Sequence, residues 1–351
     1  MKSQLPSVTF VIPVLNEEKR IEKCLDSIVK QKYDWDKLEI IVVDGGSKDK
    51  TVEIVENYGF KVVHNPYVLA DIGTCLGYER AKGDLVVIMA ADNVLVEEDW
   101  LLRMVKPFIN EHNVAGAFCR YDLDEKDKRY TKISLYINAS TDPFNLFVYG
   151  RKYVYYPLLS KVFPTEVKGN GYTIYKFNVR NHPLIALAQG FVINKKLLDN
   201  KILEWWWGDD VLPVIKMIEE GYKIAYVEAA SIKHYTFENL THFMKKMERR
   251  LNTSVSLPKN TGVLGRWNYF NTWRKIKCFL FIFYALSFIL PLFHTLLWMI
   301  KYKDKNYMFY HPLASFVLGV ILLKNFPKVV SRMLKSKASN LGGNEMAKDT
   351  K

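Results

Sequence analysis

Leu85-Val86-Val87-Ile88-Met89 is an unbroken apolar run in which three successive residues are β-branched. Such a run has no polar face to turn to water, so it reads as a strand buried on both sides, at the centre of a mostly parallel sheet. It leads through Ala90-Ala91 to Asp92 and Asn93. Open α/β sheets bind ligands beyond the carboxyl ends of their strands. A carboxylate placed there can hold a hard divalent cation, or it can cap a helix beginning near Val96. This segment alone weighs both equally.

The flanking sequence alternates in kind. Strands are expected at Val8–Val14, Leu38–Val43 and Phe60–Val63, with helices between them. The first helix presents Ile21, Cys24, Leu25 and Ile28 on one face and is expected to start from an Asn16 cap. Further helices are expected over Thr51–Tyr58, up to about Lys82, and over Glu97–Asn110; a strand follows at Val114–Cys119. This alternation predicts a parallel α/β sheet with helices on both faces. The pattern loosens over 121–185, which reads as an acceptor-side insertion or a loosely packed connection. It resumes with a strand around Gly190–Ile193, a helix over Asp210–Glu220, a strand at Tyr222–Val227 and a basic amphipathic helix at Glu238–Leu251.

Two strand ends carry polar residues suited to a ligand. Pro13-Val14-Leu15-Asn16-Glu17-Glu18 follows the first strand, and Asp44-Gly45-Gly46-Ser47 follows the second. As neighbours they would line a cleft with Glu17 and Asp44, whose carboxylates can accept hydrogen bonds from a nucleobase or ribose. Neither loop is a Rossmann glycine fingerprint or a P-loop.

The ordered set Pro13…Asn16-Glu17-Glu18, Asp44-Gly-Gly-Ser47-Lys-Asp49-Lys-Thr51, Ala81-Lys-Gly83-Asp84 and Asp92 resembles the family-2 glycosyltransferases with a GT-A fold over roughly residues 7–250. The resemblance implies a nucleotide-diphospho-sugar transferase domain of Rossmann-like α/β class, binding a UDP- or GDP-sugar over the sheet. It implies that Pro13, Glu17 and Asp44 contact the nucleoside, and that Asp92 meets the diphosphate through Mg²⁺ or Mn²⁺. Ala90 stands where the family has the first acid of Asp-x-Asp, which removes a ribose contact. No arginine stands near Asp71, leaving Asp71 as the candidate contact there. Asp209-Asp210, after Trp205-Trp206-Trp207-Gly208, matches the family's acidic pair at a helix start, with Asp210 as the base for an acceptor hydroxyl and Asp209 beside it. The competing role is an N-cap pair. The tryptophans suit sugar stacking, a bilayer or a core equally. His234 matches a metal-coordinating histidine of some GT-A enzymes.

Downstream, Cys278–Ile300 is an uncharged run interrupted by Pro291 and His294, and Tyr307–Leu323 is a shorter apolar run. Together they predict a C-terminal transmembrane helical hairpin within a membrane-associated region 256–335, after a catalytic domain 1–255 and before a disordered tail 336–351. Basic residues flank both runs, but Lys301, Lys303 and Lys305 lie between them. The alternative is a pair of helices lying in the interface. The net charge of +13 suits anionic lipid or phosphorylated substrates; without zinc-finger or RNA-binding signatures, nucleic acid is not expected as a partner. The four cysteines are dispersed, as in a cytosolic domain, and no secretory signal is expected. The expected activity is metal-dependent, inverting sugar transfer to a lipid-linked acceptor, such as a lipid-linked saccharide, at the cytoplasmic face of the cell membrane. The alternatives are transfer to a polyprenyl phosphate, or a non-catalytic nucleotide-sugar-binding protein.

Overall fold

The structure is a computed structural model and describes residues 5–124, 126–128, 142–206, 209–256, 265–302 and 310–328. The chain divides into two compact units, one ending at Thr236 and one beginning at Phe237. The boundary lies ahead of the position near residue 255 expected from sequence, so the basic amphipathic helix belongs to the second unit.

The first unit is built on one sheet. Its strands are β1 (Val8–Val14), β2 (Leu38–Asp44), β3 (Lys61–His64), β4 (Leu85–Met89), β5 (Asn93–Leu95), β6 (Val114–Tyr121), β7 (Thr165–Lys168), β8 (Thr173–Tyr175), β9 (Gln189–Asn194) and β10 (Lys223–His234). They lie in the order β3-β2-β1-β4-β9-β6-β10-β8-β7, with β5 on β10. The parallel half is as expected: β1 lies between β2 and β4, in register Val8↔Leu38 and Val8↔Leu85. The other half is mixed. Strand β9 runs antiparallel to both β4 and β6, and β8 runs antiparallel to β10. The expected parallel pairing holds over β3-β2-β1-β4, and the remainder is mixed because β9 runs antiparallel to both its neighbours after the long excursion that follows β6.

Period-two alternation sorts the strand side chains onto two faces. Phe10, Ile12, Val87 and Met89 enter one core with Ile21, Leu25, Trp100 and Met104. Val11, Val86 and Ile88 enter the other with Tyr78, Trp206, Val214 and Met217. Helices α1 (Ile21–Val29) and α4 (Trp100–Asn110) cover the first face. Helix α3 (Ala70–Arg80) covers the second; α2 (Thr51–Asn57) precedes it in the chain. Gly77 lets α3 sit close to the sheet, since a Cβ there would lie 2.4 Å from Val11 Cγ1.

The excursion is better ordered than its composition predicts. Helix α5 (Pro143–Tyr149) is capped by Asp142, and Tyr156, Leu159 and Phe163 are buried in the second core. The β7–β8 hairpin extends the sheet beyond β10. Part of the segment 121–185 lies outside the described residues.

In the second unit, α7 (Leu240–Ser256) follows α6 (Leu212–Glu219) of the first. The run expected as one helix is two: α8 (Thr272–Leu286) and α9 (Ile289–Tyr302), bent by 100°. Phe288 adopts φ 56°, outside the right-handed helical region, and so breaks the hydrogen-bond ladder. The Leu290 amide then donates to Ser287 Oγ at 3.2 Å, and Pro291 occupies the first turn of α9, where no amide is needed. A further helix, α10, covers 310–328. Among the described residues no single helix is long and apolar enough to cross a membrane. The expected tail lies outside the described residues.

Candidate active site

The loops after β1 and β2 meet, as their sequences predicted, and interlock. The Asn16 amide donates to Ser47 Oγ at 2.8 Å, and the Lys48 amide returns a bond to Asn16 Oδ1 at 2.8 Å. The Glu17 amide donates to Thr51 Oγ1 at 2.7 Å, and the Lys50 amide donates to Glu18 Oε2 at 3.1 Å. Asn16 therefore braces the neighbouring loop and does not cap α1, which starts at Ile21.

Asp44 ends β2 opposite Val14 and is buried. Its carboxylate accepts the Gly46 amide at 3.0 Å and the Ser47 amide at 3.1 Å, closing a turn in which Gly46 holds φ 91°. Glu17 is half-buried and pairs with Arg20 at 3.1 Å. Pro13 is half-buried at the same edge, opposite Val43.

Sequence reasoning passed over Asn65, which sets the route from β3 into α3. Its amide donates to the Asp44 carbonyl at 2.7 Å, and its side chain donates to the Leu69 carbonyl at 2.9 Å. That turn places Asp71 in the first turn of α3.

Asp92 is not a helix cap: β5 follows it, and α4 begins only at Trp100. The pairing of β5 with β10 sets Asn93 opposite His234 and brings His234 Nε2 to 3.3 Å from Asp92 Oδ2. Both side chains are buried, Thr236 Oγ1 lies 2.9 Å from His234 Nδ1, and the Tyr235 amide donates to the Asp92 carbonyl at 3.0 Å.

Asp209 and Asp210 separate in role. Asp209 is buried and accepts the amides of Val211 at 2.6 Å and Leu212 at 3.2 Å, closing the turn that leads into α6, whose cap position is Val211. Asp210 is half-buried, and its carbonyl accepts the Leu187 amide at 3.1 Å. Trp205 and Trp206 are buried in the second core, where Trp206 meets Tyr78 edge-on, so core packing accounts for them. Trp207 and Gly208 lie outside the described residues.

Two further residues join these positions. The Ala188 carbonyl accepts both the Ala90 amide at 3.0 Å and Asn93 Nδ2 at 2.8 Å, while adjacent Leu187 bonds Asp210. One short segment thus fastens the Asp92 loop to the Asp210 loop. Two cysteine thiols near these loops are raised, each chiefly by burial. Cys24 is raised by burial, then by Asp92 and Glu17. Cys75 is pushed up to about 12 by burial, then by Asp71, Glu79 and Asp210, and its Sγ lies 3.5 Å from the Trp206 carbonyl. Glu17 and Asp92 therefore act on one thiol, and Asp71 and Asp210 on another.

Among the described residues no group of three or more His, Cys, Asp or Glu side chains is arranged to hold a metal. Asp92 and His234 offer one carboxylate oxygen and one imidazole nitrogen. That donor set fits a cation whose remaining positions are filled by phosphate oxygens and water.

Residues 9–176 match the family model described as glycosyl transferase family 2. A Haloferax volcanii glycosyltransferase, AglE, is 32% identical over 111 residues, which are 30% of this chain and 36% of that protein. A Methanococcus voltae dolichyl N-acetyl-alpha-D-glucosaminyl phosphate 3-beta-D-2,3-diacetamido-2,3-dideoxy-beta-D-glucuronosyltransferase is 23% identical over 81% of each chain. A Trichomonas vaginalis dolichyl-phosphate beta-glucosyltransferase, ALG5A, is 32% identical over 35% of this chain and 42% of its own length. The chain thus spans well under half of two of these relatives. Among solved structures, the Pyrobaculum calidifontis mannosyltransferase PcManGT superposes with a TM-score of 0.52 at 18% identity, covering 92% of this chain and 88% of that one. That likeness establishes the mixed α/β fold as GT-A-like.

Proposed function

We propose that the chain, whose residues 9–176 match the glycosyl transferase family 2 model, is a transferase that moves a sugar from a nucleoside-diphosphate sugar to a lipid-linked acceptor. One observation carries the reading: the Asp92–His234 pair and Asp210 are fastened to one segment, Leu187–Ala188, beyond the carboxyl ends of the central strands. The names of the relatives support the substrate classes. PcManGT was solved with GDP-Man and Mn²⁺, and two of the relatives carry dolichyl phosphate in their names.

In this reading Glu17 and Asp44 accept hydrogen bonds from the nucleoside, and Pro13 lines its edge. Asp71 faces the same ligand from α3. Asp92 and His234 hold Mg²⁺ or Mn²⁺, which when bound offsets the charge of the departing diphosphate. Asp210 takes the proton from an acceptor hydroxyl as its oxygen bonds to the anomeric carbon. The bond to diphosphate breaks on the opposite side, so the sugar is inverted. Asp209 supports this step by fixing the start of α6, and the second unit keeps the enzyme at membrane lipid.

The Trichomonas relative favours a second acceptor, a polyprenyl phosphate. That acceptor arrives ionised and needs no base.

A screen of UDP- and GDP-sugars with Mn²⁺ and total membrane lipid tests the activity; no turnover with any donor would sink it. The cation is tested by calorimetry of UDP and GDP on the wild type and Asp92→Ala, each with Mn²⁺ or EDTA. Binding should need both Mn²⁺ and Asp92, and equal affinity in all four conditions would remove the metal from the reading.

A further inference from the structure

We propose that the second unit enters one leaflet of an anionic bilayer as a re-entrant wedge, with the turn at Ser287–Phe288 deepest and both flanks returning to the side they came from. The proposal deepens the lipid-linked reading by stating how membrane lipid is engaged, and its test does not depend on catalysis.

Length comes first. Helix α8 has 15 residues and α9 has 14. At about 1.5 Å per residue each spans roughly 22 Å, short of a hydrocarbon core of about 30 Å. The 100° bend between them makes the pair a broken element, either a kinked span or a re-entrant loop, and not one straight span.

Surface composition comes next. Most of the exposed large apolar side chains of the described residues lie between Trp273 and Phe326. The most exposed flank the bend or end α9: Phe283 is 72% exposed, Ile289 72% and Ile300 79%. Water is a poor solvent for so much contiguous apolar surface.

Charge then selects the geometry. Arg274, Lys275 and Lys277 begin α8, Lys301 lies in the last turn of α9, and Lys303 and Lys305 follow it in sequence. A crossing hairpin must carry Lys301, Lys303 and Lys305 to the far side, against the positive-inside rule. A wedge leaves all six on the near side, where Arg274 is buried in the protein and anionic lipid complements the lysines.

The turn is also equipped for depth. Non-helical backbone inside a bilayer needs its polar groups satisfied by protein. The Leu292 amide donates to the Phe288 carbonyl at 3.1 Å, and Ser287 Oγ takes the Leu290 amide. One turn before the bend, the Tyr284 hydroxyl lies 2.7 Å from His311 Nε2 and 3.1 Å from His294 Nδ1, tying α8, α9 and α10 through one polar knot.

The test uses the full chain. Lys275→Cys and Lys301→Cys are treated with an impermeant maleimide in intact bacterial spheroplasts and after permeabilisation, with the wild type setting the background from Cys24, Cys75, Cys119 and Cys278. The wedge predicts that both positions are protected in intact cells and react to the same extent once permeabilised. Labelling of Lys301→Cys alone from outside would establish a span and overturn the wedge. In parallel, the purified protein is floated with vesicles of equal phosphatidylcholine and phosphatidylglycerol. It should float, and Phe283→Glu with Ile289→Glu should cut vesicle affinity at least about tenfold. Wild type remaining with the soluble fraction, or a double variant that floats equally well, would also overturn it. A protein that floats but transfers no sugar would leave the wedge standing and sink only the catalytic reading.

Discussion

Asp209 and Asp210 are neighbours with different tasks. The carboxylate of Asp209 is engaged by the amides of Val211 and Leu212 at the entry to α6, whereas Asp210 is half-buried and engages Leu187 through its carbonyl. Asp209→Ala leaves the two amides of this turn without their acceptor and should lower stability by about 1–3 kcal/mol, read as a shift in melting temperature, while Asp209→Asn should keep the turn. Asp210→Asn should leave melting almost unchanged and slow transfer to a hydroxyl by roughly 10²–10⁴-fold. Near-normal turnover of Asp210→Asn would move the acceptor to a polyprenyl phosphate. The cysteines give a second check. The thiolate is the nucleophile, and burial with nearby carboxylates holds the Cys75 thiol near 12. Iodoacetamide at pH 8 should modify Cys75 slowly in the folded protein. Asp210→Asn removes one of the charges that raise this thiol, so its alkylation should quicken; an unchanged rate, read by mass spectrometry, would separate the two residues. The acidic pair could be found in the sequence, but its division of labour could not, because either residue is a good cap by type.

Strands that are buried on both faces declare themselves, which is why β1, β2 and β4 could be read directly. The β7–β8 hairpin could not: β8 has three residues, and its place is fixed by pairing with β10, some fifty residues later. The α8–α9 break was hidden for the opposite reason. Hydropathy runs through Ser287 and Phe288 without a change, while the backbone turns. The contact of Asp92 with His234 depends on β5 reversing onto β10, so no local pattern could place it. Close packing of α3 on β1 offers an element-scale prediction. Gly77→Ala puts a methyl 2.4 Å from Val11 Cγ1, and overpacking should cost about 1–3 kcal/mol in a denaturant melt. An unchanged midpoint would show that α3 can shift outward freely.

Across the whole molecule the charge is +13, while the exposed apolar side chains concentrate in the second unit. Attraction between exposed charges fades as the Debye length falls from about 10 Å at 0.1 M salt to about 3 Å at 1 M, whereas burial of apolar surface persists. Vesicle binding should therefore weaken several-fold over that range without vanishing. Complete release by salt would mean that the apolar surface stays out of the lipid. The interlocked loops after β1 and β2 have a different kind of reach. Asn16 and Ser47 are separated by 31 positions, yet each loop supplies bonds that the other needs. A change on one side leaves a bonding group to be satisfied on the other. In a lineage of such chains these positions are expected to drift as couples: a lost Asn16 accompanied by a rebuilt Ser47-Lys48 turn, and substitutions at Thr51 tolerated only where the Glu17 amide has found another acceptor.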